Sequence, residues 1–259
     1  VAVDRTELSQ ALAGGIGTRS LFPDYSPYYS EYESEQPFGD EDAAGELLEE
    51  AGWTINPDTG MRENKEGEEL TITLVAYPHR PGLGIMQPVI ADTLNDLGIN
   101  VETILTGMEW SETQQILDDR SFDIMMWAQN TLPAGDPLWF MSAFFRNDGG
   151  NNHANFSNED VDTALDALSL AEDHPERIEK SAIAHHLILD QVPVSNLVTP
   201  LWHVGLSDRM AEYEPYGSDF YVIRADLFTT DATMDTGLTS IEAVAASSSD
   251  EKSGGRRQQ

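Results

Sequence analysis

Between residues 70 and 146 the hydrophobic pattern switches repeatedly between a strand period and a helix period, and this alternation leaves few architectures open. Residues 70–76, Leu-Thr-Ile-Thr-Leu-Val-Ala, are rich in β-branched side chains and read as a strand in a buried sheet position. After Tyr77-Pro-His-Arg-Pro81, the residues Leu83, Met86, Ile90, Leu94 and Leu97 recur every three or four positions, which predicts one apolar helical face. Gly98 ends that helix. Residues 99–105 then read as a strand, 109–119 as a helix, 122–130 as a strand and 137–146 as a helix. Parallel neighbours need a crossover to bring the chain back, so strand, helix, strand, helix, strand implies α/β layering with a largely parallel sheet.

The flanks are simpler. Residues 1–13 read as a helix closed by Gly14-Gly15. Residues 18–39, rich in tyrosine and proline, read as an irregular surface segment. Asp40 is a helix cap for a helix running to Ala51. Trp53-Thr-Ile55 followed by the turn cluster Asn56-Pro57-Asp58-Thr59-Gly60 predicts a hairpin. Beyond residue 151 the pattern turns helical: Asn158 caps a face of Val161, Ala164, Leu165 and Leu168, and Pro175 opens a helix running to Asp190. Residues 197–206 read as a strand and 220–227 as a last extended piece. Residues 232–259 carry no buried-face pattern and read as a disordered acidic tail.

Composition narrows the function classes. The 259 residues hold 46 Asp and Glu against 14 Lys and Arg, a formal net charge of −32, and no cysteine. Phosphate backbones must be neutralised by basic side chains, so a nucleic-acid partner is excluded. Without cysteine there is no disulfide framework, thiolate metal site or cysteine nucleophile. No apolar run is long enough to cross a bilayer. The acids are spread along the whole chain, and Lys65, Lys180 and Lys252 are the only lysines. Such self-repulsion opposes folding in dilute salt, but at molar salt the Debye length falls to about 3 Å. The charge therefore reads as a halophile's surface. The chain opens on Val1 with no basic and apolar leader, and reads as a piece cut from something longer.

No catalytic fingerprint is present: no nucleophile elbow, zinc-protease helix, phosphate loop or dinucleotide loop. His185 and His186 are adjacent on a helix and point about 100° apart, so they cannot share an ion. His79, His153, His174 and His203 are scattered singly. The acid pairs Glu49-Glu50 and Asp118-Asp119 sit in an acid-rich background and read as solvated surface. No metal and no cofactor is expected. The segment 122–137 differs: an apolar strand ends at Trp127, then Gln129 and Asn130 lead into a Pro/Gly loop closed by Asp136. Polar and aromatic groups at the carboxyl end of a parallel strand face the ligand crevice of an open α/β sheet. Trp127 can equally be core and Asn130 a turn residue.

The order of short motifs resembles the carboxy-terminal half of the family 5 solute-binding proteins of ABC importers, the dipeptide, oligopeptide and nickel-binding group. The landmarks are Asp4-Arg5, Ala43-Ala44, Leu47-Leu48, Ala51-Gly52-Trp53, Gly60 and Gly67. Arg80-Pro81, Leu97-Gly98-Ile99-Asn100-Val101, Phe122-Asp123-Ile124 and Gly135-Asp136-Pro137 follow, then Asn155-Phe156-Ser157-Asn158-Glu159, Asp162, Pro200-Leu201-Trp202 and Asp226. Arg80-Pro81 and the stretch 130–137 look more like the nickel and peptide subgroup.

The resemblance implies a type II periplasmic-binding-protein-like lobe, α/β, with a central mixed sheet flanked by helices. Residues 1–211 would be the second lobe, 212–231 a segment returning toward a missing amino-terminal lobe, and 232–259 the tail. The whole receptor would stand outside the cell membrane, close on a small solute such as a peptide or metal chelate, and deliver it to an ABC permease. It would not be an enzyme. Peptide-binding relatives carry an acid shortly after the strand's Trp, where Asn130 stands here. Trp127 is then an apolar wall, Asn130 a polar contact, Arg80 an anion anchor, and His153 and Trp202 line the cleft. A halophilic hydrolase working through carboxylates, and a truncated fragment without binding activity, remain the alternatives.

Overall fold

The computed structural model describes residues 1–30, 38–201 and 203–214. The chain divides into two units, residues 1–201 and 202–259. In the first, Asp4 accepts the Thr6 N–H at 2.7 Å and starts α1 (Arg5–Ala11). Strand β1 (Gly15–Gly17) follows, then an irregular segment. Asp40 accepts the Ala43 N–H at 2.9 Å and starts α2 (Glu41–Glu50). Two short strands, β2 (Thr54–Ile55) and β3 (Arg62–Glu63), pair antiparallel as the turn cluster predicts.

The centre of the unit is β4 (Thr71–Ala76), α3 (Pro81–Asp96), β5 (Asn100–Leu105), α4 (Trp110–Asp119) and β6 (Ile124–Met125). The three strands form one parallel sheet in the order β5-β4-β6. Helix α3 lays Leu83, Met86, Ile90 and Ala91 on this sheet, against buried Leu74 and Ala76. Each fully buried aliphatic of this kind contributes about 1.5–3 kcal/mol. Gln87 is buried too, and its Nε2 donates to the carbonyls of Leu74 and Ile104, both at 2.9 Å. That one amide ties the helix to two adjacent strands. At the other end, Gly98 turns the chain from α3 into β5 with φ +81°, and a Cβ there would lie 2.8 Å from the Gly60 carbonyl oxygen.

Helices α5 (Leu138–Phe145), α6 (Glu159–Ser169) and α7 (His174–Asp190) build a second core. Asn158 caps α6 by accepting the N–H groups of Asp160 and Val161, and Pro175 lies in the first turn of α7. His185 on α7 is fully buried, stacked edge-on to Phe22 at 5.7 Å. Its Nε2 accepts the Leu21 N–H at 3.1 Å, so Nε2 is the unprotonated nitrogen and Nδ1 carries the proton. Nδ1 has no hydrogen-bond partner among the described residues. Burial, helped by the neighbouring His186, lowers the His185 pKa to about 4. His186 points elsewhere and meets Ser30 Oγ at 2.7 Å, as adjacent helical positions must.

The chain ends this unit in β7 (Val198–Pro200), antiparallel to β1. Among the described residues the strand pairing is divided among three sheets, two antiparallel and one parallel. In the second unit the described residues hold one 3-10 turn, Asp208–Met210. The extended piece 220–227 and the tail 232–259 lie outside the described residues, as does nearly all of the return segment 212–231.

Three expectations change. The segment 18–30 is irregular, but Leu21, Phe22 and Tyr28 are buried in the second core, because His185 supplies the acceptor its backbone needs. The strand expected over 122–130 pairs only at Ile124–Met125. Met126 N–H still reaches the Val75 carbonyl at 2.8 Å, but the next ladder position on that side is Tyr77, whose hydroxyl takes the Ala128 N–H at 3.2 Å in place of a backbone carbonyl. The strand expected over 197–206 shortens to β7.

Candidate ligand-binding site

Because β4, β5 and β6 are parallel, their carboxyl ends lie side by side, and after each of them the chain places an aromatic residue. Tyr77 directly follows β4, Trp110 opens α4 after β5, and Trp127 stands two residues beyond β6. Their rings pack edge to face: Tyr77 to Trp110 at 5.5 Å, Tyr77 to Trp127 at 5.4 Å and Trp110 to Trp127 at 6.1 Å between centroids. His79 extends the cluster on one side, 5.9 Å from Trp110, and His153 on the other, 5.7 Å from Trp127. Phe144 of α5 backs Trp127 at 6.1 Å. Trp110 keeps 41% of its surface exposed, so part of the cluster is open to solvent.

Hydrogen bonds fix the platform. The Tyr77 hydroxyl donates to the Ala128 carbonyl at 3.4 Å, and burial raises its pKa against that bond and the nearby Arg80 charge. Trp127 Nε1 donates to Gln129 Oε1 at 3.3 Å, and Gln129 Nε2 donates in turn to the Asn130 carbonyl at 3.0 Å. Asn130 Oδ1 accepts the Leu132 N–H at 3.0 Å and so shapes the following turn. The far end of that loop is held by Asp136, which accepts the Leu138 N–H at 2.9 Å and forks onto Arg177 of α7 through both carboxylate oxygens. Burial raises the Asp136 pKa, but these hydrogen bonds and the Arg177 charge outweigh it and hold the carboxyl below its usual range. Burial lowers the His153 pKa, with Arg120 adding to the effect and Asp118 opposing it, so the imidazole is neutral at physiological pH.

Such a surface can stack planar or apolar groups and attract cations to ring faces. Among the described residues no group of three or more His, Asp, Glu or Cys is placed to hold a metal ion. Of the residues singled out from sequence, Trp127 and His153 are brought into contact. Arg80 is exposed at the N-cap of α3, close enough for its charge to act on Tyr77. Asn130 is drawn into the loop beyond Trp127. Trp202 lies outside the described residues. Sequence reasoning missed Tyr77 and Trp110, although both carry a signal, since each follows a strand of the parallel run; Gln129, named from sequence as a polar residue beyond the strand, is bonded to the Trp127 indole.

The fold is the mixed α/β architecture of the periplasmic binding proteins. A nickel ABC transporter protein from Bacillus halodurans matches with a TM-score of 0.68 and 24% identity, over 77% of this chain and 41% of that one. NikA from Staphylococcus aureus, in complex with Ni(L-His)2, matches with a TM-score of 0.65 and 25% identity, over 77% and 40%. The oligopeptide-binding protein AppA from Bacillus subtilis, in complex with a nonapeptide, matches with a TM-score of 0.64 and 23% identity over the same shares. In sequence, a dipeptide-binding protein of Pseudomonas aeruginosa is 25% identical over 218 residues, 82% of this chain but 37% of the relative. The chain therefore spans about two fifths of the length of the proteins it matches. The model for bacterial extracellular solute-binding proteins, family 5 (middle), matches residues 1–152, more than half of the chain, and the chain belongs to that family.

Proposed function

We propose that residues 1–211 are the second lobe of a family 5 solute receptor that captures a peptide or a nickel-chelate-like solute outside the cell membrane and passes it to an ABC permease. Residues 212–231 return toward the first lobe and 232–259 form the tail. The observation that carries this reading is the aromatic platform Tyr77, Trp110 and Trp127 at the carboxyl ends of three parallel strands, where an open α/β sheet presents its ligand crevice. The two-fifths coverage of the relatives supports a single lobe, and their peptide and Ni(L-His)2 complexes support the solute class. In this reading Trp127 and Trp110 stack on the solute, His153 and Trp202 line the cleft, Asn130 offers a polar contact and Arg80 attracts an anionic group. The work is hinge closure and not chemistry. The acid surplus is salt adaptation of an exported protein, in an organism of haloarchaeal type.

The test is calorimetric titration of the full-length receptor with a dipeptide, a nonapeptide and Ni(L-His)2. Trp127→Ala should weaken the accepted solute by about 10- to 100-fold, the loss of one buried aromatic contact of about 1.5–3 kcal/mol. A triple change of Arg80, Trp127 and Asn130 to Ala that leaves every affinity unaltered refutes the site.

A further inference from the structure

The sequence contains one Asn-X-Ser/Thr triplet with X other than Pro, Asn155-Phe156-Ser157. This is the acceptor pattern for asparagine-linked glycosylation, which requires a surface loop of an exported protein. The structure places it in such a loop, between α5 and the cap of α6. Asn155 and Ser157 are exposed, while Phe156 between them is partly buried and packs on Phe145 at 6.5 Å. Neither the Asn155 carboxamide nor the Ser157 hydroxyl makes a hydrogen bond among the described residues. Asn155 adopts φ +53°, a left-handed conformation that Asn tolerates.

The support beneath the triplet is built from its neighbours. Asn152 Nδ2 donates to the Phe156 carbonyl at 2.7 Å and its Oδ1 accepts the Phe156 N–H at 2.9 Å. One carboxamide thus satisfies both backbone groups of the middle residue. Asn158 spends its own side chain on capping α6, while the Asn155 carboxamide stays exposed.

We propose that Asn155 carries an N-linked glycan, a proposal that rests on the exported-receptor reading. The donor is an oligosaccharide activated as a lipid-linked phosphate or pyrophosphate. Asn155 Nδ2 forms a bond to the anomeric carbon, the bond from that carbon to the phosphate oxygen breaks, and the proton lost from Nδ2 leaves with a base. No oxidation or reduction is involved. Ser157 supplies the hydroxyl that the transferase reads two positions on. Asn155 lies two residues past His153, so the glycan emerges from the same loop that contacts Trp127.

The experiment is mass spectrometry of the protein from its own cells, fractionated into surface and cytosolic pools. The tryptic peptide 147–177, bounded by Arg146 and Arg177, contains the triplet. In the surface pool most of this peptide should carry a sugar mass localised to Asn155. Asn155→Gln and Ser157→Ala should each abolish it, and Ser157→Thr should keep it. Unmodified Asn155 in surface protein overturns this proposal and leaves the receptor reading standing. Protein confined to the cytosol overturns both.

Discussion

His185 should make this protein lose stability on mild acidification. Its pKa is about 4 in the folded chain because burial penalises the imidazolium, whereas an unfolded histidine titrates near 6.5. Between those values the unfolded chain binds the proton and the folded chain does not, so stability is complete above pH 6.5 and falls as the pH drops toward 4. By pH 5 the loss from this one group is about 2 kcal/mol, approaching about 3 kcal/mol near pH 4. The measurement is urea unfolding followed by tryptophan fluorescence from pH 7.5 to pH 5, in molar KCl so that carboxylate repulsion is screened. His185→Gln is the partner protein: its amide oxygen can still accept the Leu21 N–H but cannot titrate. The other histidines are common to both proteins and cancel in the difference. The wild type should lose about 2 kcal/mol more than the variant over this range. Parallel curves for the two proteins would show that His185 is not held neutral by its burial, and the reasoning would fail.

Other outcomes follow from the same structure. Gly98→Ala forces a Cβ to within 2.8 Å of the Gly60 carbonyl oxygen at φ +81°, and should lower unfolding stability by about 1–3 kcal/mol; a smaller change measured by chemical denaturation would mean that the hairpin yields. Asp136→Asn removes the charged fork onto Arg177 and should cost about 1–3 kcal/mol, with hydrogen exchange rising first in residues 130–137. A KCl series should show the unfolding midpoint climbing steeply toward molar salt, and a midpoint independent of salt would end the halophile reading.

Much of the fold is legible because its signals are local. Asp40 and Asn158 are caps by chemistry alone, and both accept the N–H groups that caps accept. The spacing of Leu83, Met86 and Ile90 already names the face that α3 buries. Strand lengths are less legible, because the ladder beyond Met125 ends where the Tyr77 side chain, beyond a different strand, takes the Ala128 N–H. The site divides the same way. Trp127 is visible as an aromatic at a strand's end, but Trp110 hides inside the opening turn of an amphipathic helix, and only packing turns its ring onto Tyr77. His185 is the clearest loss. From sequence it is one of two adjacent histidines; its role depends on a backbone N–H 164 positions away.

The aromatic residues of the platform all stand just beyond strands and not within them. Tyr77 directly continues the buried run Leu74, Val75 and Ala76 and is itself 4% exposed, whereas Trp110 stands beyond β5 and keeps 41% of its surface open. Trp110 can be exchanged for another side chain without reopening the core, whereas Tyr77 and Trp127 belong to or pack on that core, so the platform's floor is tied to foldability while its exposed edge is free to drift. Substitutions at Trp110 should combine additively with substitutions in the second core around Val161 and Leu165, whereas those at Trp127, which Phe144 joins to that core, should couple to them.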